Sequence, residues 1–332
     1  MVRNRILLAS AALSAAIVWA CSQEIVYPVT FNVTLDASNT YMAGEPVRFN
    51  ISGDADNLLF FSGETNHQYK YKDRYSVSRD EINGVTLHID YQARYGYTDG
   101  LSVYVSDSFE GLSGDFEADK ALMASVVSKI EAGDPSWKEL DYEEGPSTVW
   151  TAQEYDISDY ASNFVLAFHW HPKLGSSAQR HYWLDGKIDI DIKGAPASTL
   201  NFTALDWEAI MLNDEYTQGH YSLSANPGFN MTKPATAAIM VNGCNGAPSM
   251  GGGAGGVEYA HDGWIFTKAM PLTSVSHDTG EVIKNLQNYM HSYEYTFEEP
   301  GTYIVTFVGT NNNVDGSSRK VKELEINIFP KL

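Results

Sequence analysis

Strict alternation of apolar and polar residues recurs near both ends of the chain, and it restricts the fold more than any other feature. Val29, Phe31, Val33 and Leu35 alternate near the start, and Val47, Phe49 and Ile51 do so after a turn at Gly44-Glu45-Pro46. Far downstream Tyr293, Tyr295 and Phe297 alternate. A Pro300-Gly301 turn follows, then Tyr303, Val305 and Phe307, and finally Leu324, Ile326 and Ile328. A period of two puts every apolar side chain on one face of an extended strand, so each segment must bury that face against another sheet. The chain is therefore expected to be all-β.

Between these ends the pattern predicts strands at Val85–Tyr91, Leu101–Ser106, Phe164–Trp170 and His181–Ile192. One helix interrupts them: Ala118, Leu122, Val126 and Ile130 recur every fourth residue, and Gly133 and Pro135 stop it. The expected division is immunoglobulin-like strands over residues 21–66, a larger β-unit with the helix over 67–212, and a closing immunoglobulin-like domain over 213–332. Opening strands at one end and closing strands at the other also allow the middle unit to be an insertion into a single immunoglobulin-like domain. Tyr303, just past its turn, stands where a tyrosine-corner residue would.

The first residues set the expected compartment. Arg3 and Arg5 precede an apolar run from Ile6 to Trp19, which ends in Val18-Trp19-Ala20-Cys21. A basic start, a short apolar stretch and a small residue before the cut are the marks of a secretory signal over residues 1–20. The run is shorter than the roughly 20 residues of a spanning helix. Ala20-Cys21 resembles the lipobox, in which the cysteine becomes a lipid-modified N-terminus. Acyl chains then hold the protein to the membrane with about 0.8 kcal/mol per buried methylene. Cys244 is the only other cysteine, so no intramolecular disulfide frame is expected. The formal net charge of −20 becomes more negative once Arg3 and Arg5 are removed, and it argues against nucleic acid as a partner. The 20 Tyr and 7 Trp suit pleated sheets and sugar-binding surfaces alike, so they do not choose between the two.

Several strings taken together resemble a known group. They are SGDADNLLFFSGETNHQYKYKDR from Ser52 to Arg74, LSVYVSDSFEG from Leu101 to Gly111 and YDISDYASNFVLAFHW from Tyr155 to Trp170. YWLDGKIDI from Tyr182 to Ile190 and YEYTFEEPGTYIVTFVGTN from Tyr293 to Asn311 complete the set. Their order is similar to that of an uncharacterised family of Bacteroidota surface lipoproteins, a domain of unknown function found beside SusC/SusD-like glycan-uptake systems. The first and last strings are the more specific. The middle strings resemble jelly-roll modules and the tail resembles a PKD-like module. The resemblance implies immunoglobulin/PKD-like sandwich modules flanking a jelly-roll-like β-sandwich. It also implies a lipid-anchored protein of the outer membrane, facing the cell exterior, with a SusC/SusD-like complex as partner. Ser22-Gln23-Glu24 loosely resembles the acidic export signals of such lipoproteins.

Two constellations are candidates for chemistry. His169 and His171 share one strand face, and His181 on a neighbouring strand would complete a three-ligand metal site, with Asp185 as the nearest carboxylate. The plainer reading, polar residues opposite a core face of Leu166, Phe168 and Trp170, is favoured, because nothing in the sequence makes the two strands neighbours. Asp185 also stands where jelly-roll modules hold a structural Ca²⁺, though no calcium-loop spacing is present. No other cofactor is called for. Trp150, Trp207 and Trp264 flank polar or glycine-rich loops and are the candidate platforms for sugar rings. The tract from Gly243 to Gly256 lacks the Lys-Ser/Thr of a phosphate cradle and reads as a surface loop.

The expected function is non-catalytic binding of a polysaccharide or oligosaccharide in an uptake system. The alternatives are a glycoside or metal-dependent hydrolase, and a structural, adhesin-like spacer that contacts outer-membrane partners.

Overall fold

The computed structural model describes residues 25–36, 40–94, 100–171, 181–212, 219–222, 238–244, 247–251 and 262–331. Cys21 and half of the tract from Gly243 to Gly256 lie outside them. The chain enters through β1 (Asn32–Thr34), β2 (Tyr41–Met42), β3 (Pro46–Ser52) and β4 (Asn57–Phe61). Next come β5 (Ile82–Arg94), β6 (Leu101–Ser106), the helix α1 (Phe116–Glu131), β7 (Trp137–Leu140), β8 (Thr151–Asp156) and β9 (Val165–Trp170). They are followed by β10 (His181–Ile192), β11 (Ser198–Asn201), β12 (Trp207–Met211), β13 (Gly219–Ser222), β14 (Ala238–Cys244), β15 (Ala247–Gly251) and β16 (Gly263–Thr267). The last strands are β17 (Glu281–Lys284), β18 (Ser292–Thr296), β19 (Gly301–Asn313) and β20 (Gly316–Phe329). The fold is all-β sandwich, as the alternation requires.

The chain divides into two compact units, Met1–Arg74 with Ser276–Leu332, and Tyr75–Val275. This differs from a division into 21–66, 67–212 and 213–332. The reason is pairing over long range: β18 pairs with β3, and β19 with β4, so the opening strands share their sheets with the closing ones.

In the first unit a three-stranded sheet, β1-β3-β18, and a five-stranded sheet, β17-β4-β19-β20-β2, enclose one core. The alternating residues of both chain ends meet there. Val33, Phe49, Phe60, Phe297, Phe307 and Ile326 are all buried in it. Phe60 touches Tyr293, Tyr295 and Phe307 at centroid distances of 4.9–5.0 Å, within the range of favourable aromatic pairs. Tyr303 stacks on Phe297, and its hydroxyl donates to Glu299 O at 2.9 Å, the bond a tyrosine corner makes to the backbone just upstream.

In the second unit the two sheets run β14-β15-β10-β5-β8, with β11 also on β10, and β13-β12-β16-β9-β6-β7. Leu87, Tyr91, Phe168, Trp170, Tyr182 and Ile188 lie in the core between them. The opposite face of β6, β9 and β16 is covered by α1, whose Met123 and Val126 pack on Val165, Ala167 and Phe266. The helix starts where Asp115 accepts from Ala118 N. Buried Asp119 accepts from Ser113 N and Gly114 N, which fixes the approach. Among the described residues no helix is long and apolar enough to cross a membrane.

Candidate functional site

The outer face of the five-stranded sheet in the first unit carries a cavity of about 390 Å³. Its floor is formed by residues of β19 and β20: Thr302, Ile304, Thr306 and Glu323. Its wall is the loop that follows β4, through Gly63, Gln68, Tyr69 and Lys70. The register explains the floor. Phe307 and Val305 point into the core, so Thr306 and Ile304 between them face outward, with Glu323 opposite Thr306.

Local chemistry holds the wall in place. Gly63 has φ +85°, and a Cβ there would sit 2.7 Å from Ile304 O, so only glycine lets the loop lie against β19. Glu64 is held by Ser62 Oγ at 2.8 Å and by the Tyr295 hydroxyl at 2.5 Å. Burial, and then the bond to Glu64, push Tyr295 up to about 12, so this donor keeps its proton at neutral pH. Gln68 N donates to Asp278 Oδ2 at 2.8 Å, and Asp278 N donates to Tyr71 O at 3.1 Å. The Tyr69 ring packs edge-on against Phe61 at 5.3 Å, and Arg319 Nη2 donates to its hydroxyl at 2.7 Å.

Thr306 is fully buried, and among the described residues its hydroxyl has no hydrogen-bond partner. A buried hydroxyl left unpaired costs about 1–3 kcal/mol. It borders a polar cavity but is itself closed to solvent, so a ligand supplies the partner only when the groups covering it give way.

The histidines lie in the second unit. His169 stands on β9 and His171 just past its end, with rings 4.6 Å apart. His181 opens β10, which belongs to the other sheet, so its strand is not a hydrogen-bonded neighbour of β9. Asp185 also lies on β10, where its Oδ1 accepts from Gly186 N at 2.8 Å. The carboxylate beside the histidines is Asp262 instead. His169 Nε2 donates to Asp262 Oδ1 at 2.9 Å, and Trp264 Nε1 donates to the same oxygen at 3.1 Å. The His169 ring stacks on Trp264 at 3.9 Å, and His171 Nε2 shares a hydrogen bond with Ser102 Oγ at 3.1 Å. Burial, then the charge of His169, lower the His171 pKa below the usual histidine value. Among the described residues no group of three His, Cys, Asp or Glu is placed to hold a metal ion.

The tryptophans divide. Trp207 is 2% exposed and donates from Nε1 to Phe202 O, and Trp264 is 0% exposed, so neither is a platform. Both stand on strands inside the sheet, β12 and β16, where the faces are covered by the core and by α1. Trp150 is 44% exposed just before β8. Sequence reading missed Tyr69, Lys70 and Thr306 as a site. Their only signal was that they fall in the two most specific strings, Ser52–Arg74 and Tyr293–Asn311, which meet here.

The fold and cavity define a class, an all-β protein of two sandwich units with a loop-walled polar cavity on one sheet. A family model described as "Domain of unknown function (DUF5017)" matches residues 20–204, more than half of the chain, and the protein belongs to this family. The match includes the loop wall of the cavity but not its β19–β20 floor. No curated protein and no solved structure matches the chain.

Proposed function

We propose that the protein is a lipid-anchored, non-catalytic glycan-binding protein. The observation that carries this reading is the cavity on the first unit. An aromatic ring at Tyr69, amide and hydroxyl groups at Gln68, Thr302 and Thr306, and a charged rim suit a sugar. A sugar presents C–H faces to aromatics and hydroxyls to polar groups. A volume near the low end of small-molecule sites, ~300–1,000 Å³, favours a short oligosaccharide or a chain end over a long stretch of polymer. The basic start, the apolar run and Cys21 support export and anchoring at the outer membrane, and the resemblance to SusC/SusD-associated lipoproteins supports a place in polysaccharide uptake, facing the exterior.

Calorimetry with a panel of short oligosaccharides tests the reading. We expect binding without release of products, and at least a tenfold loss of affinity in Tyr69→Ala, as for truncation of a central aromatic contact. A folded protein that binds none of them, or a Tyr69→Ala variant that binds as well as the parent, contradicts it. Trp150→Ala separates this cavity from the tryptophan that is exposed among the described residues: affinity unchanged there, with loss in Tyr69→Ala, supports the Tyr69 cavity.

A further inference from the structure

Resting on the glycan reading, we infer that the cavity selects a sugar that carries an anionic group. The chain as a whole has 42 acidic and 22 basic residues, so its field repels anions. The cavity wall departs from that background. Lys70 Nζ lies 4.5 Å from the Tyr71 ring centre and the Arg74 guanidinium 3.6 Å from it. Lys72 Nζ lies 5.4 Å and the Arg319 guanidinium 5.6 Å from the Tyr69 ring centre. Four cations thus crowd two tyrosines at one edge of an acidic protein.

What holds them matters more than their number. Lys72 pairs with Asp73. Lys70 and Arg319, by contrast, form no ion pair among the described residues; aromatic faces and the Tyr69 hydroxyl hold them instead. Cation–π contact positions a cation without neutralising it. The charge stays available to a ligand, and Lys70 lines the cavity itself. Glu323 is the one acid of the lining and lies across the floor from the loop, where it can accept from a sugar hydroxyl. The ligand class that fits is an oligosaccharide whose terminal ring bears a carboxylate or a sulfate.

The test is calorimetry of the full chain at two salt concentrations with three probes: a galacturonic acid trisaccharide, a sulfated chondroitin disaccharide and neutral galactotriose. We expect at least one acidic probe to bind tenfold or more tighter than galactotriose, with the difference shrinking at high salt. Lys70→Gln should bring acidic and neutral sugars to similar affinity, and Lys70→Arg should restore the preference. Equal or tighter binding of galactotriose overturns the charge selection and leaves glycan binding standing. Undiminished preference in Lys70→Gln overturns the role of this wall. Binding of no probe, in the panel above as well, overturns both readings.

Discussion

The histidine cluster of the second unit and the cavity of the first are both polar groups gathered beside an aromatic ring, yet their hydrogen bonding differs. Asp262 accepts from His169 and from Trp264, and His171 is bonded to Ser102, so the cluster satisfies itself. The cavity does not: among the described residues Thr306 is buried without a partner, and neither Lys70 in its wall nor Arg319 on the Tyr69 ring forms an ion pair. A closed network fixes packing, whereas an open one is completed by something that arrives. Buried polar groups in folded proteins are nearly always paired, so an exception in the floor of a cavity points to a ligand.

The largest expected effect breaks the closed network. Trp264→Ala removes a fully buried indole stacked on His169 and Phe266, and should cost about 3–5 kcal/mol of stability. Thermal denaturation should show this loss while affinity per folded molecule stays unchanged; weakened sugar binding would show that the cluster is part of the site. Gly63→Ala comes next. Its Cβ would press on the Ile304 carbonyl at a positive φ, for a cost of about 1–3 kcal/mol. Because the loop carries Gln68 and Tyr69, this variant should lose binding as well as stability, and retained affinity would mean that the wall can shift without consequence.

A smaller effect follows from pH. His171 has its pKa lowered by burial, so the folded state disfavours its proton relative to the unfolded chain. Its contribution is present above pH 6.5 and is lost as pH falls beneath that value towards the lowered pKa. Denaturant midpoints measured from pH 7.5 down to 5 should fall, and the slope should diminish in His171→Gln. An unchanged slope in that variant assigns the effect to another group.

The pattern of strands was legible because a period of two is a local property. Leu101–Ser106 and His181–Ile192 begin and end as strands at the very residues the alternation marks; the four-residue spacing finds α1 and its buried Val126, but Ala118 and Leu122 are exposed and Met123 is buried instead. The pairing of strands was not legible, since nothing local in β4 encodes its neighbour β19, more than two hundred residues away. Each misplaced residue traces to that gap. His181 and Asp185 are on a strand as expected, but in the other sheet. Trp264 borders a polar loop in sequence and is sealed in space by α1 and β6. Tyr69 and Thr306 become one site only when the loop after β4 folds over β19. The cavity could be found only from the fold, although the strings that build it were the most recognisable ones in the chain.

Thr306→Val tests the contrast most directly, by melting and calorimetry on the same preparation. Replacing the unpaired hydroxyl with a methyl of similar size removes a buried, unsatisfied group, worth about 1 kcal/mol. We expect the variant to melt higher than the parent and to bind the oligosaccharide more weakly, because the hydroxyl strains the free protein and serves the complex. A variant that melts lower and binds with unchanged affinity would contradict this, and would place Thr306 among the ordinary packing residues of the sheet.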